Sequence, residues 1–136
     1  MLAIMGGTGL TELEGLQILR QHTIQTSYGT PSSRISECCL DGRRILFLAR
    51  HGQPHRIPPH LINYRANIQG LLSLGCTAIV AVNAVGGIHP ALVTGNLCVP
   101  DQIIDYSWGR EHTFHDGSRE ELVHIDFTHP YDHDLR

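Results

Sequence analysis

The sequence contains no lysine; all ten of its basic residues are arginines. That excludes a Walker lysine, a Schiff-base lysine and a lysine general base. No CxxC spacing joins the four cysteines, Cys38, Cys39, Cys76 and Cys98. The expectation for them is reduced, mostly buried thiols of a cytoplasmic protein. No apolar run approaches the length of a membrane span. The apolar start, residues 1–5, lacks a basic leader region and runs straight into Gly6-Gly7, so it reads as a first strand and not as a signal peptide. Repeats and low-complexity stretches are absent. With a net charge of −3, bulk attraction to nucleic acid is not expected either.

What is present is a chain of 136 residues, 41% of them hydrophobic, about one domain's worth of core-forming sequence. Acid is concentrated late, nine of the thirteen carboxylates lying from Asp101 onward. Strands are expected over 1–5, 17–26, 35–40, 43–49, 77–85 and 97–104. Asp41-Gly42 is a strong two-residue hairpin signal between the third and fourth of these. Tyr28-Gly29-Thr30-Pro31 marks a turn. Residues 61–74 carry Leu61, Tyr64, Ile68, Leu71 and Leu72 at helical spacing, with Gly75 as a stop. Residues 77–85 form an unbroken apolar run of the kind found in a strand covered on both faces. From 106 to 136 periodicity fails, and the stretch reads as a long loop or an excursion over a partner. Asp132 or Asp134 is placed to cap a helix whose body lies beyond the chain, so these residues are expected to be the front part of a longer polypeptide.

Chemistry gathers at the ends of three apolar strands. There the sequence reads Gly6-Gly7-Thr8-Gly9, Arg50-His51-Gly52 and Asn83-Ala84-Val85-Gly86-Gly87. In open α/β sheets ligands sit beyond the carboxyl ends of strands, so the three loops are expected to converge on one pocket. Glycine lets the backbone approach a ligand and aim N–H groups at an anion. Thr8 adds a hydroxyl donor. Arg50 offers a planar fork for two oxygens, and His51 a donor of adjustable charge. Asn83 and the Ala84 N–H complete a cage. No carboxylate lies in any of the three loops, and the set fits a phosphate-sized dianion. Each loop alone is weak. Gly7-x-Gly9 lacks the third glycine of a dinucleotide fingerprint, since Glu12 occupies that position.

The stretches GGTGL, ARHG with NYRAN downstream, and AVNAVGGI resemble the methylthioadenosine phosphorylase branch of the purine nucleoside phosphorylases. Within it, Asn-Ala-Val-Gly is similar to the bacterial S-methyl-5′-thioinosine phosphorylases. The resemblance runs in order along the whole chain. It implies a mixed α/β sheet partly closed into a barrel and flanked by helices, with residues 1–136 as the N-terminal, phosphate-binding portion of one domain without an internal boundary. It implies that Thr8, Arg50, His51, Asn83 and Ala84 bind phosphate. It also implies that His124, in Val-His-Ile-Asp, reaches over the alkylthio end of substrate in a neighbouring subunit of a homotrimer. The implied reaction is phosphorolysis of S-methyl-5′-thioinosine, or next of methylthioadenosine, to the purine and 5-methylthioribose 1-phosphate in purine salvage. Inorganic phosphate is the co-substrate, and no metal, cofactor, membrane or nucleic acid takes part. The family's ribose-contacting methionine, a further phosphate threonine and the base-reading residue belong to a second half not contained in these 136 residues.

Two other readings remain open. Arg-His-Gly after a strand is also the signature of histidine phosphatases, in which His51 itself would be phosphorylated, although that motif normally sits on the first strand. A non-catalytic anion-binding fragment is the other. The pairs His51/His55 and His112/His115 have metal-ligand spacing, but the first lies in a proline-bounded loop and no HExxH occurs.

Overall fold

The computed structural model describes residues 1–7, 9–10, 15–118 and 123–136. The chain divides into two compact units, Met1–Ala84 with Gly109–His112, and Val85–Trp108 with Thr113–Arg136.

The first unit is built on a five-stranded mixed sheet. Its strands are β1 (Leu2–Gly6), β2 (Gln17–His22), β3 (Ile35–Leu40), β4 (Arg43–Ala49) and β5 (Ala78–Ala81), and a helix α1 (Tyr64–Ser73) lies between β4 and β5 in sequence. The order across the sheet is β2-β3-β4-β1-β5. β2, β3 and β4 run antiparallel, whereas β4, β1 and β5 are mutually parallel neighbours. Gly6 pairs with Ala49, and Met5 with Ala81. Three carboxyl ends therefore finish level at one edge.

The β3–β4 hairpin turns on Asp41 and Gly42, with φ of 48° and 76°. Both angles are positive, as a twist-matched two-residue turn requires, and an Asp-Gly pair tolerates them. The period-2 rule then sorts the core. Ala3, Met5, Leu46 and Leu48 face α1 and bury against Ile35, Leu71 and Cys76. Ile45, Phe47 and Ala49 point to the opposite face with Cys38.

α1 starts later than the hydrophobic spacing alone suggests. Pro59–Leu61 forms a 3₁₀ turn. The helix proper begins after Asn63, whose Oδ1 accepts the Ala66 N–H at 3.0 Å, an N-cap that fixes the first turn. A polar clamp draws the 26–32 loop onto the helix. Asn63 Nδ2 donates to Tyr28 O at 2.7 Å, and fully buried Asn67 accepts from Ser32 N at 2.7 Å and donates to Ser32 Oγ at 2.9 Å. Gly70 lets this loop and β3 come close, since a Cβ there would stand 3.0 Å from Pro31 Cγ and 3.1 Å from Ile35 Cδ1. The 109–112 segment returns to the same helix, where Arg65 pairs with Glu111 at 3.1 Å.

Several expectations are corrected. Among the described residues the sheet is open and not partly closed into a barrel, because its edges, β2 and β5, do not pair. Closure demands enough tilted, staggered strands for the edges to meet, and five do not suffice here. The 77–85 strand shrinks to Ala78–Ala81 and lies at the sheet edge, so Val80 stays 40% exposed instead of being covered on both faces. The 97–104 strand is not formed, and β2 ends at His22. No helix among the described residues is long and apolar enough to cross a membrane.

The second unit contains no regular element among its described residues. Its late carboxylates build local turns. Asp105, Asp116 and Asp126 accept the N–H two residues on, at 2.8, 3.0 and 2.9 Å. Hydrogen bonds from Thr128 hold the Asp126 carboxyl below its usual range. Asp132 Oδ1 accepts from both Asp134 N and Leu135 N at 3.0 Å, closing a local turn.

Two outcomes follow. Leu71→Ala should cost about 2–5 kcal/mol, because a fully buried leucine leaves a cavity between α1 and the sheet; urea unfolding of the chain would measure it. Among the thiols, Cys98 is exposed and Cys38 buried, and burial, with Glu37 beside it, pushes the Cys38 thiol up. Mass-resolved alkylation of the native chain should modify Cys98 first and Cys38 last.

Candidate functional site

The level ends of β4, β1 and β5 are joined by one side chain. Arg50 directly follows β4, and its N–H donates to Gly6 O at 3.1 Å, extending the β1–β4 ladder by one step. Val82 N–H does the same on the other side, donating to Met5 O at 3.0 Å. The Arg50 guanidinium then crosses the end of β1, and Nη1 donates to Val82 O at 2.8 Å. It passes over Gly7, where a Cβ would collide with the guanidinium, lying 2.8 Å from Cζ and 3.1 Å from Val82 O. Arg50 is only 8% exposed. A guanidinium carries five N–H groups, and among the described residues the Val82 carbonyl accepts one of them.

His51 follows on the same turn and is also 8% exposed. Gly52, at φ 84°, bends the chain, and its N–H donates to Ala49 O at 3.0 Å. The proline-rich loop then folds back on the histidine. Arg56 N and Ile57 N donate to His51 O at 2.9 and 2.8 Å, and His51 Nδ1 lies 2.8 Å from Ile57 O. The His55 ring stacks on His51 with centroids 4.6 Å apart. Among the described residues neither Arg50 nor His51 is paired with a carboxylate. Two cationic or ionisable groups thus stand buried without a carboxylate partner among the described residues, an arrangement that suits an anionic ligand.

The candidate residues fare differently. Arg50 and His51 sit at the end of β4. Asn83 and Ala84 lie just beyond β5, immediately after the carbonyl that holds Arg50; both are exposed, and Asn83 Nδ2 reaches Ala81 O at 3.5 Å. Thr8 falls outside the described residues. His124 belongs to the second unit, where it is exposed. The sequence did not reveal the parts played by Gly7, the Val82 carbonyl and the Ile57 carbonyl. Only the Gly6-Gly7 doublet carried a signal, and its meaning as room for an arginine depends on a residue 43 positions away. Trp108 is 91% exposed. Among the described residues no group of three or more His, Cys, Asp or Glu is placed to hold a metal ion.

The sequence profile of the phosphorylase superfamily matches residues 1–136. A probable S-methyl-5′-thioinosine phosphorylase of Pseudomonas syringae pv. tomato is 57% identical over 134 residues, spanning 98% of this chain and 54% of the relative. A probable enzyme of the same name from Xanthomonas campestris pv. campestris is 48% identical, spanning 96% of this chain and 52% of the relative. Among solved structures, methylthioadenosine phosphorylase from Schistosoma mansoni in complex with adenine superposes with a TM-score of 0.87 at 35% identity, covering 96% of this chain and 48% of that one. The chain spans about half the length of the relatives it matches.

Gly7→Ala should drive Arg50 off the Val82 carbonyl. In arginine-selective ¹⁵N spectra the wild type should show one protected Arg50 Nη1–H resonance. The variant should lose it while the β1–β4 amide resonances persist.

Proposed function

The chain belongs to the phosphorylase superfamily, and from that premise we propose that it forms the phosphate-holding portion of an enzyme that cleaves 5′-methylthio purine nucleosides with inorganic phosphate. S-methyl-5′-thioinosine is the favoured substrate and methylthioadenosine the next, in keeping with the names of its relatives. The observation that carries the reading is Arg50, buried and unpaired with any described carboxylate, bridging the level ends of three parallel strands.

In this reading the phosphate dianion lies against the free N–H groups of Arg50, with His51, Asn83, the Ala84 N–H and Thr8 around it. A phosphate oxygen attacks the anomeric carbon of the nucleoside as the glycosidic bond breaks. The bonding pair leaves with the purine nitrogen, which takes up a proton, and the sugar departs as 5-methylthioribose 1-phosphate. Charge on the sugar builds before the new bond is complete. A dianion held in line, and not fully neutralised by its cage, therefore stabilises the transition state more than the ground state. The tie to Val82 O gives Arg50 its place before substrate arrives. No metal or organic cofactor enters these steps.

Residues 1–136 act as the N-terminal, phosphate-holding part of a single phosphorylase domain. The active assembly is a cytoplasmic homotrimer working in purine salvage, with His124 extended toward the alkylthio group held by a neighbouring subunit. The base-reading groups lie outside these residues, so the isolated chain should show no measurable phosphorolysis; turnover by it would overturn this division of labour. A chimera joining residues 1–136 to the remaining half of the Pseudomonas relative should release hypoxanthine from S-methyl-5′-thioinosine only when phosphate is added. Arg50→Ala in that chimera should lower kcat/KM on the order of 10²–10³-fold. Cleavage that is indifferent to phosphate, or an active Arg50→Ala chimera, would refute the assignment. Radioactive phosphate retained covalently on His51 would favour phosphoryl transfer instead.

A further inference from the structure

His51 carries a constraint that its sequence context did not show. A carbonyl oxygen only accepts hydrogen bonds, so the 2.8 Å contact with Ile57 O places a proton on Nδ1. In the neutral ring the other nitrogen, Nε2, is then a lone pair, and among the described residues nothing donates to it. The ring cannot swing to exchange the two nitrogens without breaking that bond and the stacking on His55. The groups flanking it are Arg50, which precedes it, and His55, stacked 4.6 Å away.

We propose that His51 makes the site selective for oxyanions that carry a proton, so that bound phosphate is held as hydrogen phosphate with its P–O–H donating to Nε2. This rests on the phosphate site described above and names the ionic form it takes. With Nδ1 committed to Ile57, only Nε2 is left to meet the anion. A neutral Nε2 meeting a bare anionic oxygen sets lone pair against negative charge; meeting a P–O–H group it gains a hydrogen bond. Arg50 supplies the attraction common to all dianions of this size, whereas His51 sorts them by whether they have a hydroxyl to give. Phosphate and arsenate have one at pH 8; sulfate, of similar size and charge, has none. The sequence-level expectation that His51 donates to a third oxygen is reversed in this arrangement.

The test uses the 136-residue chain with uniformly ¹⁵N-labelled histidine at pH 8, above the range in which imidazole ordinarily titrates. The His51 ring nitrogens should report the Nδ1–H form. Titration with phosphate, arsenate and sulfate, read at the amides of residues 49–52 and 82–84, should give similar affinities for the first two. Sulfate should bind at least about tenfold more weakly, the loss of one hydrogen bond to a charged group. His51→Ala should weaken phosphate and arsenate while leaving sulfate nearly unchanged, erasing the preference. A His51→Gln chain, which offers an amide oxygen as acceptor, should recover part of it. Equal wild-type affinity for phosphate and sulfate, both abolished by Arg50→Ala, would overturn the selectivity and leave the site standing. So would an Nε2–H ring. An absence of any anion response at these amides would overturn the site and the selectivity together.

Discussion

Everything at this end of the molecule depends on one hydrogen bond, from the Arg50 guanidinium to the Val82 carbonyl, made across the end of the strand that lies between them. A long flexible cation in water would lose considerable side-chain freedom to hold one position. Here that freedom is removed by the fold. The strand before it is buried along most of its length, its own N–H extends the neighbouring ladder, and Gly7 leaves the channel through which the side chain runs. The central strand thus separates the two anchor points by one strand width and brings them level. A shift of one residue in either parallel pairing would exchange the faces of the sheet and break the bridge.

The parallel pairings are in turn held by packing on one face. α1 covers Ala3, Met5, Leu46 and Leu48 through Leu71, and Asn63 and Asn67 fasten the preceding loop beneath it. The NYRAN segment owes its residue types to this work. Asn63 caps, Asn67 clamps, and Arg65 packs over the Tyr28 ring at 4.8 Å while pairing with Glu111. What reads in sequence as a motif near a binding loop is, in the folded chain, the support that keeps that loop's strand in register.

Legibility from sequence followed the range of the interaction. The β3–β4 hairpin came out residue for residue, because Asp41-Gly42 specifies its turn locally. The sequence also places the Arg50 and Asn83 loops after apolar strands, and β4 and β5 finish level on either side of β1. The start of α1 was misplaced by three residues, since Pro58 and Pro59 open a 3₁₀ turn before the Asn63 cap takes over. The runs 77–85 and 97–104 have strand composition, yet a strand needs a partner, and the described residues offer β5 one neighbour and 97–104 none. The tautomer of His51 depends on a carbonyl six residues away in a proline-bent loop, which no pattern of residue types could announce.

Anomalous diffraction at the arsenic edge from crystals of the chain soaked in arsenate, a tetrahedral oxyanion that keeps a proton at pH 8, would locate the bound anion directly. A single peak should lie within hydrogen-bond reach of the free Arg50 N–H groups, beside the Asn83-Ala84 backbone and the Gly7 turn. Peaks elsewhere on the surface, with Arg50 still bound to Val82 O and no anion beside it, would contradict the picture of three strand ends closing around one phosphate.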